Sequence, residues 1–260
     1  MTNMKYQYEE LAKMIDHALL HPTMTDGEMD AGCQLAMEYG VASVCVKPYY
    51  VSRAAELLAE SDVLVGTVIG FPHGSNHTEI KRAETRQALE DGAQEIDMVL
   101  NIGKVMSGDW DYILRDIQVV CQESHHRAAK VKVILETDYL SGGGAGLKSD
   151  ALKRKLCQIC DVAGADWVKT STGFGFVKQA DGGFGTQGAT EHDIKLMREA
   201  CSAKVQVKAS GGVRDLAALI RAKDLGASRC GTSSTQAILD AYHVEAENAE
   251  SGGSLGQGGY

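Results

Sequence analysis

Two lysines and one aspartate stand in the middle of runs that otherwise read as buried β-strand. In Glu95-Ile96-Asp97-Met98-Val99-Leu100 the alternate residues Ile96, Met98 and Leu100 form an apolar face, which turns Asp97 to the other side. Val205, Val207 and Ala209 do the same for Lys208, and Lys169 holds the equivalent place in Trp167-Val168-Lys169-Thr170-Ser171. Lysine is rarely buried without a partner. Neighbouring strands lie about 4.8 Å apart, so in matching layers of one sheet the two lysines are close neighbours. Two close, partly desolvated ammonium groups each hold a proton less tightly. One is then a free amine near neutral pH, the form that attacks a carbonyl and becomes a Schiff base. Asp97 beside them keeps Lys208 charged, serves proton transfer, or does both. A structural ion-pair network, or lysines that reach solvent at a barrel mouth, fits the same pattern, and the pattern alone leaves that alternative open.

The elements that must position these residues alternate regularly. Gly40, Gly92, Gly164 and Gly226 each follow a helical pattern and precede a β-rich run, the place where a left-handed glycine ends a helix. The β-rich runs are 14–20, 41–46, 63–71, 95–101, 131–136, 167–171, 205–210 and 229–233. Amphipathic helical patterns fill 26–39, 51–59, 78–90, 110–121, 151–163, 191–201, 215–225 and 235–247. Thr25 and Glu28 form a capping box, and Thr190 with Asp193 a looser one. Strands and helices alternating eight times predict a single (β/α)8 TIM barrel over residues 1–246. A doubly wound open sheet is the alternative, but no G-x-G-x-x-G follows the first strand, and the glycine-rich 142–146 reads as a flexible loop. The tail 247–260 is rich in glycine, ends in Tyr260 and reads as disordered.

The last two strands end in Ser210-Gly211-Gly212-Val213-Arg214 and Gly231-Thr232-Ser233-Ser234. In barrels the corresponding loops often bind phosphate through backbone amides, helix N-termini and hydroxyls, although ordinary tight turns use the same residues. No metal site is expected: His17 and His21, and His73 and His77, lack the glutamate of an H-E-x-x-H helix. Cys157-x-x-Cys160 has no second ligand pair and reads as two thiols on an amphipathic helix. Cys45, mid-strand, reads as a small core residue. Among 260 residues, 26 basic against 35 acidic give a net charge of −9, which argues against a nucleic-acid or anionic-membrane partner. The odd count of seven cysteines and the absence of an apolar leader suit a cytoplasmic protein.

Taken in order, eight motifs resemble the deoxyribose-phosphate aldolase family over about Ile15 to Tyr242. They are Ile15-Asp16-His17-Ala18-Leu19-Leu20, Val44-Cys45-Val46, Ile69-Gly70-Phe71-Pro72-His73-Gly74, Glu95-Ile96-Asp97-Met98-Val99 and Val133-Ile134-Leu135-Glu136-Thr137. Then come Val168-Lys169-Thr170-Ser171-Thr172-Gly173-Phe174, Val207-Lys208-Ala209-Ser210-Gly211-Gly212 and Gly231-Thr232-Ser233-Ser234.

The resemblance implies reversible cleavage of 2-deoxy-D-ribose 5-phosphate to acetaldehyde and D-glyceraldehyde 3-phosphate, in deoxyribonucleoside catabolism and without cofactor or metal. It implies that Lys169 is the Schiff-base lysine, that Lys208 lowers its pKa, and that Asp97 and Asp16 serve proton transfer. Cys45, Thr172, Gly173, Gly211, Gly212, Ser233 and Ser234 would line the substrate and phosphate site, and Tyr260 would reach into it from the tail. The partners implied are a small sugar phosphate and an aldehyde, in a homo-oligomer, dimer or tetramer. Ala18 departs from the family, where threonine is common, and removes one hydroxyl contact. The segments 142–147, after the strand ending in Glu136, and 176–186, beside the expected phosphate site, resemble insertions. Two rival readings remain, another Schiff-base sugar-phosphate aldolase and a non-catalytic sugar-phosphate-binding barrel; a metal-dependent lyase ranks third.

Overall fold

Eight strands, each parallel to both neighbours, close on themselves. They are β1 (Ile15–Leu19), β2 (Ser43–Val46), β3 (Leu64–Ile69), β4 (Glu95–Val99), β5 (Lys130–Ile134), β6 (Trp167–Lys169), β7 (Gln206–Ser210) and β8 (Arg229–Thr232), with β8 paired to β1. The computed structural model describes residues 4–178 and 182–252, the side chains of 249–252 excepted. Closure leaves no edge strand and excludes the open-sheet alternative.

A helix follows every strand: Asp26–Glu38, Val51–Leu57, Thr78–Glu90, Trp110–His125, Ser149–Ala163, Glu191–Ala200, Leu216–Asp224 and Thr235–Gly252. Alternation along the strands divides their side chains. Val44, Val46, Ile96, Met98, Val131, Val133, Val168, Val207 and Cys230 are fully buried under the helices. The opposite parity sends Asp16, Ser43, Glu95, Asp97, Lys132, Lys169, Lys208 and Arg229 inward. Both arms of the Thr25 capping box form, and Thr190 accepts from the amide of Asp193. All four helix-ending glycines have positive φ.

Three features depart from the sequence reading. Short helices at Tyr8–Ala12, Ile102–Ser107 and Thr137–Leu140 are too brief to show a helical period. The 142–146 segment is a closed turn, not a loose loop: Gly144 and Leu147 exchange both backbone hydrogen bonds, at 3.0 and 2.8 Å. The last helix runs on to Gly252, so 247–252 belongs to it; residues 253–260, Tyr260 included, lie outside those described. The 176–186 segment carries a small hairpin, Val177–Lys178 against Phe184–Gly185. Among the described residues no helix is long and apolar enough to cross a membrane.

A buried ion pair joins two outer helices to the barrel. Lys81 donates to Asp116 at 2.6 Å and to the Val99 carbonyl at 2.8 Å, while Thr78 donates to the other oxygen of Asp116 at 2.8 Å. Lys81→Met leaves Asp116 charged in the interior without a counter-ion. The expected cost is about 3–5 kcal/mol, read as a lower urea midpoint at unchanged m-value.

Candidate active site

At the C-terminal ends of the strands lies a cavity of about 290 Å³, bordered by residues that follow β1, β6, β7 and β8. Lys169 and Lys208 form its floor together with Asp16 and Cys45. The two lysines are register partners on β6 and β7. Each donates to the same oxygen of Asp97, Oδ2, at 2.7 Å. Lys208 also meets Asp16 Oδ2 at 2.5 Å. Asp97 stands behind the amines and is fully buried. Gly231 on β8 makes this approach possible: a Cβ there would stand 2.8 Å from Ser210 Oγ and 3.3 Å from Lys208 Cε.

Beneath this set lies a second charged layer. Lys132 contacts Glu95 at 2.5 Å, Asp97 Oδ1 at 3.1 Å and Asp16 Oδ2 at 3.2 Å. Arg229 donates from Nε to Asp16 Oδ1 and from Nη2 to Glu95 Oε2, both at 2.6 Å. Ser43 donates to Asp16 Oδ1 at 2.9 Å. Trp167 closes the barrel below, its ring 5.8 Å from the Lys132 amine and 5.6 Å from the Arg229 guanidinium.

This geometry separates the proton affinities. Burial holds the Lys169 ammonium below the ordinary lysine range and Lys208 repels it, which outweighs the attraction of Asp97. Burial also acts against the charged form of Lys208, but Asp16 and Asp97 together hold it well above the usual range. Both carboxyls are kept ionised despite burial by Lys132 and the other cations, far below the usual carboxylate range. Burial pushes the Cys45 thiol up to about 11, so it is a neutral wall residue. Cys45 packs in an apolar cluster with Leu20, Val68, Phe71 and Phe174, of which Leu20 and Phe174 also line the cavity. Ala18 also lines the cavity and supplies no hydroxyl.

The same cavity is lined by Thr172, Gly173, Gly211, Gly212, Ser233 and Ser234. Ser233 and Ser234 precede the N-terminus of the last helix, and Arg214 stands on the same wall. His17, on the outward face of β1, meets Thr235 Oγ1 at 2.8 Å and ties that N-terminus to the barrel. Burial pushes its imidazole down to about 4, leaving it neutral at pH 7. The loops after β6 and β7 touch backbone to backbone, since a Cβ on Gly188 would lie 2.6 Å from the Gly211 carbonyl oxygen.

Two carboxylates that sequence reasoning did not single out hold the loop after β6. Glu136 has a left-handed backbone and accepts from the Thr172 amide at 3.2 Å and from its hydroxyl. Asp138 accepts from the Thr186 hydroxyl and from the amides of Gln187 at 3.0 Å and Gly188 at 3.1 Å. Glu95, Lys132 and Arg229 were missed as well. Their signal was the same inward parity that exposed Asp97. Among the described residues no cluster of three metal-ligating side chains occurs, and Cys157 and Cys160 are buried free thiols.

Residues 11–241 match the family model described as DeoC/LacD family aldolase. A deoxyribose-phosphate aldolase of Rhodopirellula baltica is 49% identical over 234 residues, 90% of each chain. One from Thermococcus gammatolerans is 45% identical over 243 residues, 93% of this chain and 98% of that protein. Among solved structures, the deoxyribose phosphate aldolase of Aeropyrum pernix superposes with a TM-score of 0.78 at 30% identity, covering 91% of this chain and 92% of that one. An aldolase designated QR15 gives 0.79 at 35% identity, with 90% and 96% covered.

Asp138→Asn weakens the acceptor that two amides share. Hydrogen exchange at Gln187 and Gly188 is then expected to speed up by about tenfold, with exchange in the barrel strands unchanged.

Proposed function

Because the chain belongs to the DeoC/LacD family of aldolases, we propose that it is a deoxyribose-phosphate aldolase. It reversibly cleaves 2-deoxy-D-ribose 5-phosphate to acetaldehyde and D-glyceraldehyde 3-phosphate through a lysine Schiff base, in the breakdown of deoxyribonucleosides. The observation that carries this reading is the pair of lysines on one carboxylate oxygen at the cavity floor. A binding protein gains nothing from a buried amine held below its ordinary pKa; a nucleophile does.

In the cleavage direction the neutral Lys169 amine adds to the C1 aldehyde. The resulting carbinolamine takes up a proton and loses water, which gives a protonated imine. Removal of the C3 hydroxyl proton lets the C2–C3 bond break, its electron pair passing to the imine nitrogen and leaving an enamine. D-glyceraldehyde 3-phosphate departs, the enamine carbon takes a proton, and water releases acetaldehyde from Lys169. Lys208 supplies the local positive charge, with Asp16 as its counter-ion. Asp97 lies behind both amines, so it serves proton transfer through the lysines it bonds and not by direct contact with the substrate.

The phosphate end follows from the loops. Gly211 and Gly212 adopt φ of +89° and +86°, presenting backbone toward the cavity that Ser233 and Ser234 also line. Ala18 lines the cavity and offers the substrate no hydroxyl of its own. Seven free thiols fit a reducing, cytoplasmic compartment. The Aeropyrum pernix aldolase is tetrameric, which supports a homo-oligomer here as well.

Incubation with acetaldehyde or 2-deoxyribose 5-phosphate, borohydride reduction and peptide mapping test the reading. A reduced adduct is expected on Lys169 and is expected to vanish in Lys169→Ala. Sugar-phosphate binding with no lysine adduct would favour the non-catalytic barrel. Asp97→Asn is expected to lower kcat about 10²–10⁴-fold, the range of a lost acid–base group. Gly211→Ala is expected to raise KM for the phosphorylated sugar about tenfold, the worth of roughly one charge-assisted hydrogen bond, with little change for 2-deoxyribose itself.

A further inference from the structure

Seven charged side chains point into the barrel, Asp16, Glu95, Asp97, Lys132, Lys169, Lys208 and Arg229, and none is more than 8% exposed. Fully ionised, four cations face three carboxylates, a surplus of one positive charge on side chains almost wholly removed from solvent. The surplus has a definite origin. Asp16, Asp97, Lys169 and Lys208 sum to zero, whereas Glu95, Lys132 and Arg229 sum to plus one. Those last three do not border the cavity.

The contacts also say which cation is held least. Lys132 touches three carboxylates, and Arg229 and Lys208 touch two each. Lys169 touches one, Asp97, through an oxygen already bonded to Lys208. The charged or titratable groups facing Lys169 are Asp97 on β4, Lys208 on β7, Cys45 on β2 and Glu136 after β5. Lys132 and Asp16 lie one contact further, through Asp97 and Lys208. Glu136 belongs to the segment after β5 and not to the seven barrel-facing groups; among those seven, a proton leaving Lys169 brings the charge sum to zero at the smallest loss of ion pairing.

We propose that Glu95, Lys132 and Arg229 form a charge-setting layer, positioning residues that touch no substrate and whose net positive charge fixes the pH at which Lys169 becomes a free amine. The inference rests on the Schiff-base reading of Lys169. Its sign is fixed. Removing a deep cation stabilises the Lys169 ammonium, so the free amine emerges at higher pH. Removing the deep carboxylate does the opposite.

The test is the pH dependence of acetaldehyde trapping by borohydride, read by mass spectrometry of the Lys169 peptide in the full-length protein. Arg229→Gln is expected to raise the midpoint by about one pH unit and Glu95→Gln to lower it by about as much, the scale of one charge several ångströms away in a medium of intermediate dielectric. Arg229→Lys keeps the charge but not the fork, and the midpoint is expected to stay. The double variant E95Q/R229Q restores the charge sum, and its midpoint is expected to return to that of the unsubstituted protein. Where a single variant does not fold, Lys132→Gln removes the same charge as Arg229→Gln and carries the same upward shift. Adducts on Lys169 with midpoints that do not move, or that move the same way in E95Q and R229Q, overturn the charge-setting layer while leaving the aldolase reading intact. Absence of a Lys169 adduct in the unsubstituted protein overturns the aldolase reading itself.

Discussion

One oxygen of Asp97 accepts from two lysines at 2.7 Å each, and the rest of the barrel is arranged so that it can. Charges removed from water cost several kcal/mol apiece unless their partners are close and well placed. Here each partner comes from a different strand, so the pairing is a property of the closed sheet. The β6–β7 register sets Lys169 beside Lys208. Gly231 leaves room for the Lys208 stem, and Trp167 closes the space below. The two lysines have the same side chain and neighbouring positions, yet opposite proton affinities. What separates them is Asp16, which bonds Lys208 and not Lys169.

The molecule divides its work by depth. Charge is fixed in the strands, where backbone pairing leaves little freedom. The loops after β1, β6, β7 and β8 border the cavity and are free to differ in shape. The loop after β6 is the longest of these and carries the hairpin, but Glu136 and Asp138 tie it down near both ends. The contact of Gly188 on Gly211 then transmits that anchoring to the glycines expected to meet phosphate. Precision at the chemical end and adaptability at the recognition end therefore coexist without competing for the same residues.

Much of this was legible in the residue pattern. Asp97, Lys169 and Lys208 each interrupt an apolar alternation at one interior position, and only an inward orientation explains that. The helix-ending glycines and the Thr25 capping box gave the rhythm from which a barrel follows. Glu95 and Arg229 obey the same parity but begin their strands, where a charge ordinarily reaches solvent. Lys132 follows Lys130 by two, so Lys130-Val131-Lys132-Val133 reads as a strand with one wet face; only Lys130 is exposed. Glu136 and Asp138 lie where no periodicity exists, and a carboxylate that serves loop amides leaves no pattern behind. The closed turn at 142–146 was misread because glycine-rich composition says nothing about whether backbone groups pair.

The placement of the charges on strands also bears on how such a chain can change over time. Side chains alternate with a period of two, so deleting or inserting a single residue within β4, β6 or β7 would exchange inside for outside. Asp97 would then face the helix layer and Met98 the amines. Length variation inside these strands is therefore closed to the lineage, whereas the Val177–Lys178 and Phe184–Gly185 hairpin joins no barrel strand and can lengthen, shorten or be replaced. New substrates would be gained by exchanging loops around an interior that admits substitution but not slippage.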